Sequence, residues 1–508
     1  MRIDGRSFTL EDARRVVRGA HPKASLSRAA RRAVRHARRM VERRAGADEA
    51  LYGINTGFGK LSRVRIGRDD LELLQRNLLL SHAAGTGAPL DDGVARLALV
   101  LRANALARGH SGVRPELIDR LLALFSAGVA PLLPEQGSVG ASGDLAPLAH
   151  LALLLIGEGE ARLDGKRLSG AALSRKLGLE PMVLQAKEGL ALINGTQVST
   201  ALAADGLLSA LSLARTADVA CAMTIEALRG SVKAFDRRIH AVRPHAGQGR
   251  VAANVRRLLA RSAVVRSHRH CDRVQDPYAL RCAPQVHGAA RDTFAHAAAV
   301  VEREMNSVTD NPLLFPADDA ILNGGNFHAE PVGMVSDFCA IAAAELANIS
   351  ERRIENLVNP DLSGLPAFLA REPGLNSGFM IAQVTAAAVV SENKTLAHPA
   401  TVDSIPTSAG KEDHVSMATW AGRKLRQVVR NAERVVAIEL LAAAQALELH
   451  DRWIEPGAGA RAGYDAVRAV VKPLLRDREF APDIEAATRL VRDGTVADAA
   501  AHAVGRLD

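Results

Sequence analysis

Ala141, Ser142 and Gly143 are three consecutive residues with almost no side-chain bulk, set between Gly140 and Asp144. Such a stretch lets the backbone fold sharply enough for one amide nitrogen to approach the carbonyl carbon two residues earlier. Cyclisation with loss of water is then sterically possible; an ordinary turn is the alternative. Asp144 can cap the first turn of the apolar segment that follows, and Pro147 is tolerated there because early helical N–H groups have no partner. Arg281 offers a planar guanidinium fork, the natural clamp for an amino acid's carboxylate, although surface solvation also accounts for one arginine in a basic chain. Asn194 stands beside Gly195, where a sharp turn can leave the amide pointing into a cavity. Tyr52 is presented by a glycine-rich segment, residues 51–60, that fails as a phosphate loop: Lys60 is followed by Leu61, and no β-branched strand precedes it. His82, read alone, is a structural histidine.

These residues need a scaffold. Hydrophobic residues make up 48% and aromatic residues 3% of 508 positions, with Ala and Leu abundant, which calls for a mainly α fold with an aliphatic core. Thr9-Leu10-Glu11-Asp12 reads as a helix start in which Thr9 caps the first-turn amides. Between residues 28 and 44, Val34, Ala37, Met40 and Val41 fall three or four apart, the mark of an amphipathic helix with arginines elsewhere. Helical patterns follow at 71–80, 94–107, 115–128, 335–357 and 376–396, and another from 417 towards 450 is longer than an ordinary globular helix. Leu163-Asp164-Gly165-Lys166 signals a tight hairpin. No repeat or low-complexity linker interrupts the chain. The expected architecture is an elongated helical bundle: residues 1–195 form a smaller N-terminal lobe carrying the 141–143 tripeptide, and residues 196–508 form the long helices and C-terminal helices.

The formal charge of +9 reads as solvated surface, because no nucleic-acid motif accompanies it and aromatics for base stacking are scarce. Cys221, Cys271, Cys282 and Cys339 are far apart and lack paired ligand spacing, so they read as reduced thiols and no metal is expected. Residues 1–12 lack the apolar core of a secretory signal. No run reaches the roughly 20 apolar residues of a membrane span, the segment 145–156 being too short and holding His150. A soluble protein in the cytoplasm is the expectation.

Ala141-Ser142-Gly143 followed by Asp144-Leu145-Ala146-Pro147-Leu148-Ala149 resembles the prosthetic-group motif of the histidine and phenylalanine ammonia-lyase family. Further blocks extend the likeness over residues 51–450: the tyrosine segment Tyr52-Gly53-Ile54-Asn55-Thr56-Gly57-Phe58-Gly59, the stretch 187–197, the loop 274–282, and the loops 307–312, 324–331 and 404–416. The resemblance implies that the tripeptide condenses into 4-methylideneimidazol-5-one, an electrophile with Ser142 as its exposed carbon, placed at a helix N-terminus whose partial positive charge favours it. It implies Tyr52 as the base for the β-proton, a role that needs a phenol partly ionised by positive or hydrogen-bonding surroundings. Asn194, Gln275 and Tyr278 become contacts of the ring, Arg281 the carboxylate clamp, and Phe327 an active-site aromatic. His82 and Glu412 become the groups that orient an imidazole, since a carboxylate can accept its N–H and would be left unsatisfied beside a hydrocarbon ring. The implied reaction is elimination of ammonia from L-histidine to give trans-urocanate. A homotetramer whose subunits share sites is implied with it, and neither nucleic acid nor membrane is an expected partner.

The same scaffold supports rivals: a phenylalanine or tyrosine ammonia-lyase, or an aminomutase that returns ammonia to the β-carbon. A lyase releasing trimethylamine from a histidine betaine is disfavoured, because that substrate already has a good leaving group and does not need Ala-Ser-Gly. A basic, non-catalytic nucleic-acid scaffold leaves the blocks unexplained. Ser81-His82 is the pairing of histidine-specific members. Lys411 is a departure, standing where histidine-acting relatives usually carry Gln. Pointing inward it would compete with the imidazole for Glu412; the expectation is that its long stem carries the charge out to water.

Overall fold

Helix occupies 61% and strand 7% of the chain, so the mainly α fold holds. The structure, a computed structural model, describes residues 1–45, 51–268 and 274–508, and Cys271 lies outside the described residues. By its internal contacts the chain divides into two units. One comprises Met1–Gly206, Ala298–Asp337 and Pro399–Arg423; the other comprises Leu207–Ala297, Phe338–His398 and Lys424–Asp508. Residues 1–195, expected as a lobe, all fall in the first unit, which takes in two later segments as well.

In the first unit the local signals act as read. Thr9 accepts from Asp12 N–H while the Asp12 side chain returns to the Thr9 backbone, a capping box that opens the helix Leu10–Val17 and stabilises it by about 1 kcal/mol. The helix Arg28–Ala45 buries Val34, Ala37, Met40 and Val41. Arg38 on that helix is buried too, its guanidinium donating to the carbonyls of Gly112 and Ala186 at 3.3 and 3.0 Å and to Gln185 at 2.6 Å. Asp164 and Gly165, with φ of 53° and 74°, turn the strand Glu160–Leu163 back onto Lys166–Ser169, as a tight hairpin turn with two left-handed residues requires. The helix Asp92–Leu106 is buried almost throughout. Its Arg102 is wholly buried, holding Ala191 O, Gln197 Oε1 and Thr309 O.

The second unit is built on helices whose apolar faces enclose a polar network. Arg353 and Glu439 pair with both side chains fully buried, and Thr224 and Ser350 hydroxyls complete the carboxylate's partners at 2.8 and 2.6 Å. Asp218 accepts from His287, Arg291 and Asn254 at 2.8, 2.6 and 2.8 Å. Buried charges persist where every lone pair is met in this way. The longest expected pattern is the 31-residue helix Ala418–Glu448; it starts after Met417 because Met417 has a φ of 51°, outside the helical range.

Two stretches correct the reading that no segment could span a membrane. Glu188–Ala227 and Glu330–Val358 are long and apolar enough by length and composition, and 78% and 72% of their apolar windows are buried inside the protein. Polar residues such as Asp218 and Asp337, both buried, interrupt these helices, while an 18-residue window in each still keeps a mean hydropathy of 1.2 and 1.4. Cys221, Cys282 and Cys339 are free, and burial pushes the Cys221 and Cys339 thiols up to about 12, which keeps them unreactive.

Candidate active site

The 141–143 tripeptide sits in a loop held from several directions. Gly140 O accepts from Ser416 Oγ at 2.8 Å and from Ala329 N–H at 3.1 Å, and Met417 N–H donates to Val139 O at 2.9 Å. Asp144 corrects an expectation: its side chain makes no cap to its own helix, Leu145–Leu153. It reaches instead to Val198 and Ser199 N–H, at 2.9 and 2.8 Å, in the first turn of the helix Gln197–Ala227. Hydroxyls of Ser138, Ser199 and Thr419 complete its shell at 2.9, 2.7 and 3.0 Å. Burial pushes this carboxyl upward, and the Ser199 N–H with the Ser199, Ser138 and Thr419 hydroxyls pull it back. The capping chemistry was right and the helix was another: the amides that Asp144 accepts from open Gln197–Ala227.

Gly143 has a φ of +81°, and a Cβ there would stand 2.5 Å from Gly195 N and 2.6 Å from Gly195 O. Only glycine at 143 permits that approach. Asp144 N–H donates to Gly195 O at 2.7 Å, and Asn194 Nδ2 donates to Ser142 O at 2.7 Å. Asn194 Oδ1 is buried with no partner. The residues therefore fit the prosthetic group: a bulk-free turn, an amide on the serine carbonyl, and one unused acceptor facing the same place.

Tyr52, His82 and Glu412 belong to the same unit, and the charge of Glu412 bears on both of the others. Gly59 N–H donates to Tyr52 Oη at 3.5 Å. Burial raises the Tyr52 pKa, the Gly59 contact opposes it, and the charges of Glu412 and Asp310 raise it further. The expected ionising environment is thus absent from the single chain among the described residues. His82, last residue of the helix Leu71–His82, is half-buried, with Ser81 Oγ 3.1 Å from its Nδ1. Burial lowers its pKa, and Glu412 works against that. Glu412 is fixed by a two-way backbone pairing with Thr407 and by the Thr407 hydroxyl. Lys411 is exposed, as expected.

Phe327 is half-buried in the loop that Ala329 ties to Gly140. Gln275, Tyr278 and Arg281 lie in the second unit. Tyr278 is 71% exposed, with the Arg281 guanidinium 4.6 Å from its ring centre; Gln275 is exposed, and Arg281 Nε is buried without a partner. Sequence reading passed over Lys187 and Asp310, a wholly buried pair at 2.9 Å whose carboxylate bears on Tyr52. A signal was available: Asp310 is the one charged residue of the block 307–312, and Lys187 the one basic residue of the block 187–197.

The aromatic amino acid lyase family model matches residues 8–469. A histidine ammonia-lyase of Gloeobacter violaceus is 55% identical over 507 residues, covering 100% of this chain and 98% of the relative. Among solved structures, a histidine ammonia-lyase from Trypanosoma cruzi is 44% identical with a TM-score of 0.91, covering 99% and 96% of the two chains. A tyrosine aminomutase from Streptomyces globisporus is 37% identical with a TM-score of 0.95, covering both chains in full. The chain belongs to the aromatic amino acid lyase family.

Proposed function

We propose that this enzyme eliminates ammonia from L-histidine to give trans-urocanate, using 4-methylideneimidazol-5-one made from Ala141, Ser142 and Gly143. The observation that carries the reading is the grouping, in one unit, of Tyr52, His82 and Glu412 with a tripeptide whose sharp turn and half-satisfied Asn194 suit ring closure. When formed, that group supplies an electrophilic carbon that turns the substrate's amine into a better leaving group. The chain's own residues do the rest. Asn194 holds and polarises the Ser142 carbonyl. His82, kept neutral by burial, and Glu412, which can accept an imidazole N–H, orient the histidine side chain, with Phe327 beside it. Tyr52 Oη takes the β-proton.

Arg281 clamps the substrate carboxylate, and Gln275 and Tyr278 accompany it, all three supplied by neighbouring copies in a homotetramer. The exposure of Tyr278 supports this, since a ring so open in its own chain gains most by entering another. An incoming guanidinium also brings the positive charge that Tyr52 lacks within one chain. A cytoplasmic location accords with free, buried thiols.

The test is the ultraviolet absorbance of urocanate on adding L-histidine to the purified protein, with intact-mass analysis alongside. The expected result is turnover of histidine in preference to phenylalanine and tyrosine, a chain lighter by two waters, and near-complete loss of activity in Ser142→Ala. An unmodified mass in an active enzyme overturns the prosthetic group. Equal or better turnover of phenylalanine or tyrosine, or a β-amino acid product, moves the enzyme to the aromatic or aminomutase branch.

A further inference from the structure

His328, Glu330 and His414 present a set of donors that none of the roles above uses. One ligand atom from each lies within 4.8 Å of the others. Nε2 of His328 and Nδ1 of His414 are 3.5 Å apart. Two ligand atoms bound about 2.1 Å from one tetrahedral ion stand roughly 3.4 Å apart, so the two imidazoles already span one edge of such a site. Glu330 Oε2 is buried with no hydrogen-bond partner, a costly state for a carboxylate unless a cation joins it. His414 is exposed, so its ring has staggered rotamers open to it that can bring its ligand atom nearer the others.

The backbone beneath is fixed. Ala329 N–H, between two of the donors, and Ser416 Oγ, two residues beyond the third, both donate to Gly140 O. His328 N–H is tied to Gly325 O at 2.9 Å, and Val415 N–H to Ser404 Oγ at 3.1 Å. Two loops far apart in sequence are thereby held at a constant spacing, which a metal site requires and a chance meeting of surface histidines lacks.

We propose that His328, Glu330 and His414 form a binding site for a divalent transition-metal ion of the zinc and cobalt type, with a fourth position open to solvent. Two imidazoles and one carboxylate select such ions over Ca²⁺ and Mg²⁺, which prefer oxygen shells. In the metal-free chain His328 Nε2 lies 3.2 Å from the His414 carbonyl, to which it donates in the Nε2–H tautomer; ligation through Nε2 uses the Nδ1–H tautomer instead. The ion joins the loops at either side of the Gly140 carbonyl, one residue before the tripeptide, and braces them.

The test uses the full-length protein stripped with a chelator and titrated with ZnCl₂ by calorimetry, then with Co²⁺ by visible absorption. One ion per chain, a tetrahedral Co²⁺ spectrum and an EDTA-reversible rise in Tm are expected. His328→Gln and His414→Gln each weaken binding by more than about tenfold, with circular dichroism reporting that the variants fold. Peptide mapping after diethyl pyrocarbonate needs no variant: zinc protects His328 and His414 in the wild type. Binding that survives in the His328→Gln/His414→Gln protein puts the ion at other histidines or cysteines and overturns the assignment. Absence of binding to the wild type, or unprotected histidines, overturns it equally.

Discussion

Lys187 and Asp310 offer a perturbation whose two halves act alike on stability and oppositely on the pH profile. Their side chains are 0% and 1% exposed, and Nζ reaches both carboxylate oxygens, at 2.9 and 3.1 Å. Removing one partner strands the other charge in the core, which costs about 3–5 kcal/mol. Lys187→Met and Asp310→Asn should therefore each lower stability by that order in urea unfolding, and the double variant should recover most of the loss, a coupling read from the double-mutant cycle. Asp310 raises the Tyr52 pKa, and a base is active only when deprotonated. Without Lys187 the Asp310 charge acts unopposed, so the rising limb of kcat/KM shifts to higher pH; without Asp310 that contribution vanishes and the limb shifts to lower pH. Shifts of the same sign, or no shift in either variant, would refute the placing of Tyr52 as the base beneath this pair. A double variant no more stable than the singles would refute the energetic argument.

Glu412→Gln removes a charge-assisted contact to the imidazole and should lower kcat/KM for histidine by about 2 kcal/mol, roughly thirtyfold, in steady-state kinetics. Lys411→Gln, at an exposed position, should leave histidine preferred and change kcat/KM less than about tenfold; histidine activity appearing only in that variant would make Lys411 a specificity determinant. Burial pushes the Glu226 carboxyl up to about 7, against its contacts with Gly457 N–H and Ser262. The folded pKa lies above the unfolded value, so this group's stabilisation is complete below about pH 4.5 and lost as pH rises through 7, some 3 kcal/mol in all. Glu226→Gln should flatten that slope in urea titrations between about pH 5 and 8.

Local chemistry was legible where the interaction is local. Thr9 and Asp12 cap one turn, Asp164 and Gly165 make one turn, and the spacing of Val34, Ala37, Met40 and Val41 fixes one helix face. Asp144 shows the boundary: a cap was foreseeable, but its partners are 54 and 55 residues away, and nothing in the intervening sequence marks them. The Tyr52 environment was not legible for a related reason: motif blocks name Tyr52, Asp310 and Glu412 separately, and nothing in their spacing says that the two carboxylates bear on the phenol. His328 and His414 are 86 residues apart. No spacing rule joins them, because the link is a shared acceptor on a third segment.

That shared acceptor also sets an order of events. Gly140 O and the Asp144 carboxylate draw donors from residues as late as Ser416 and Thr419, so the loop around Ser142 cannot reach its final shape while the ribosome is still making the middle of the chain. A nascent protein of 400 residues would carry the tripeptide as an ordinary, unreactive serine segment. The loop's hydrogen-bonded shape is complete only when the chain has been made and folded as far as Thr419.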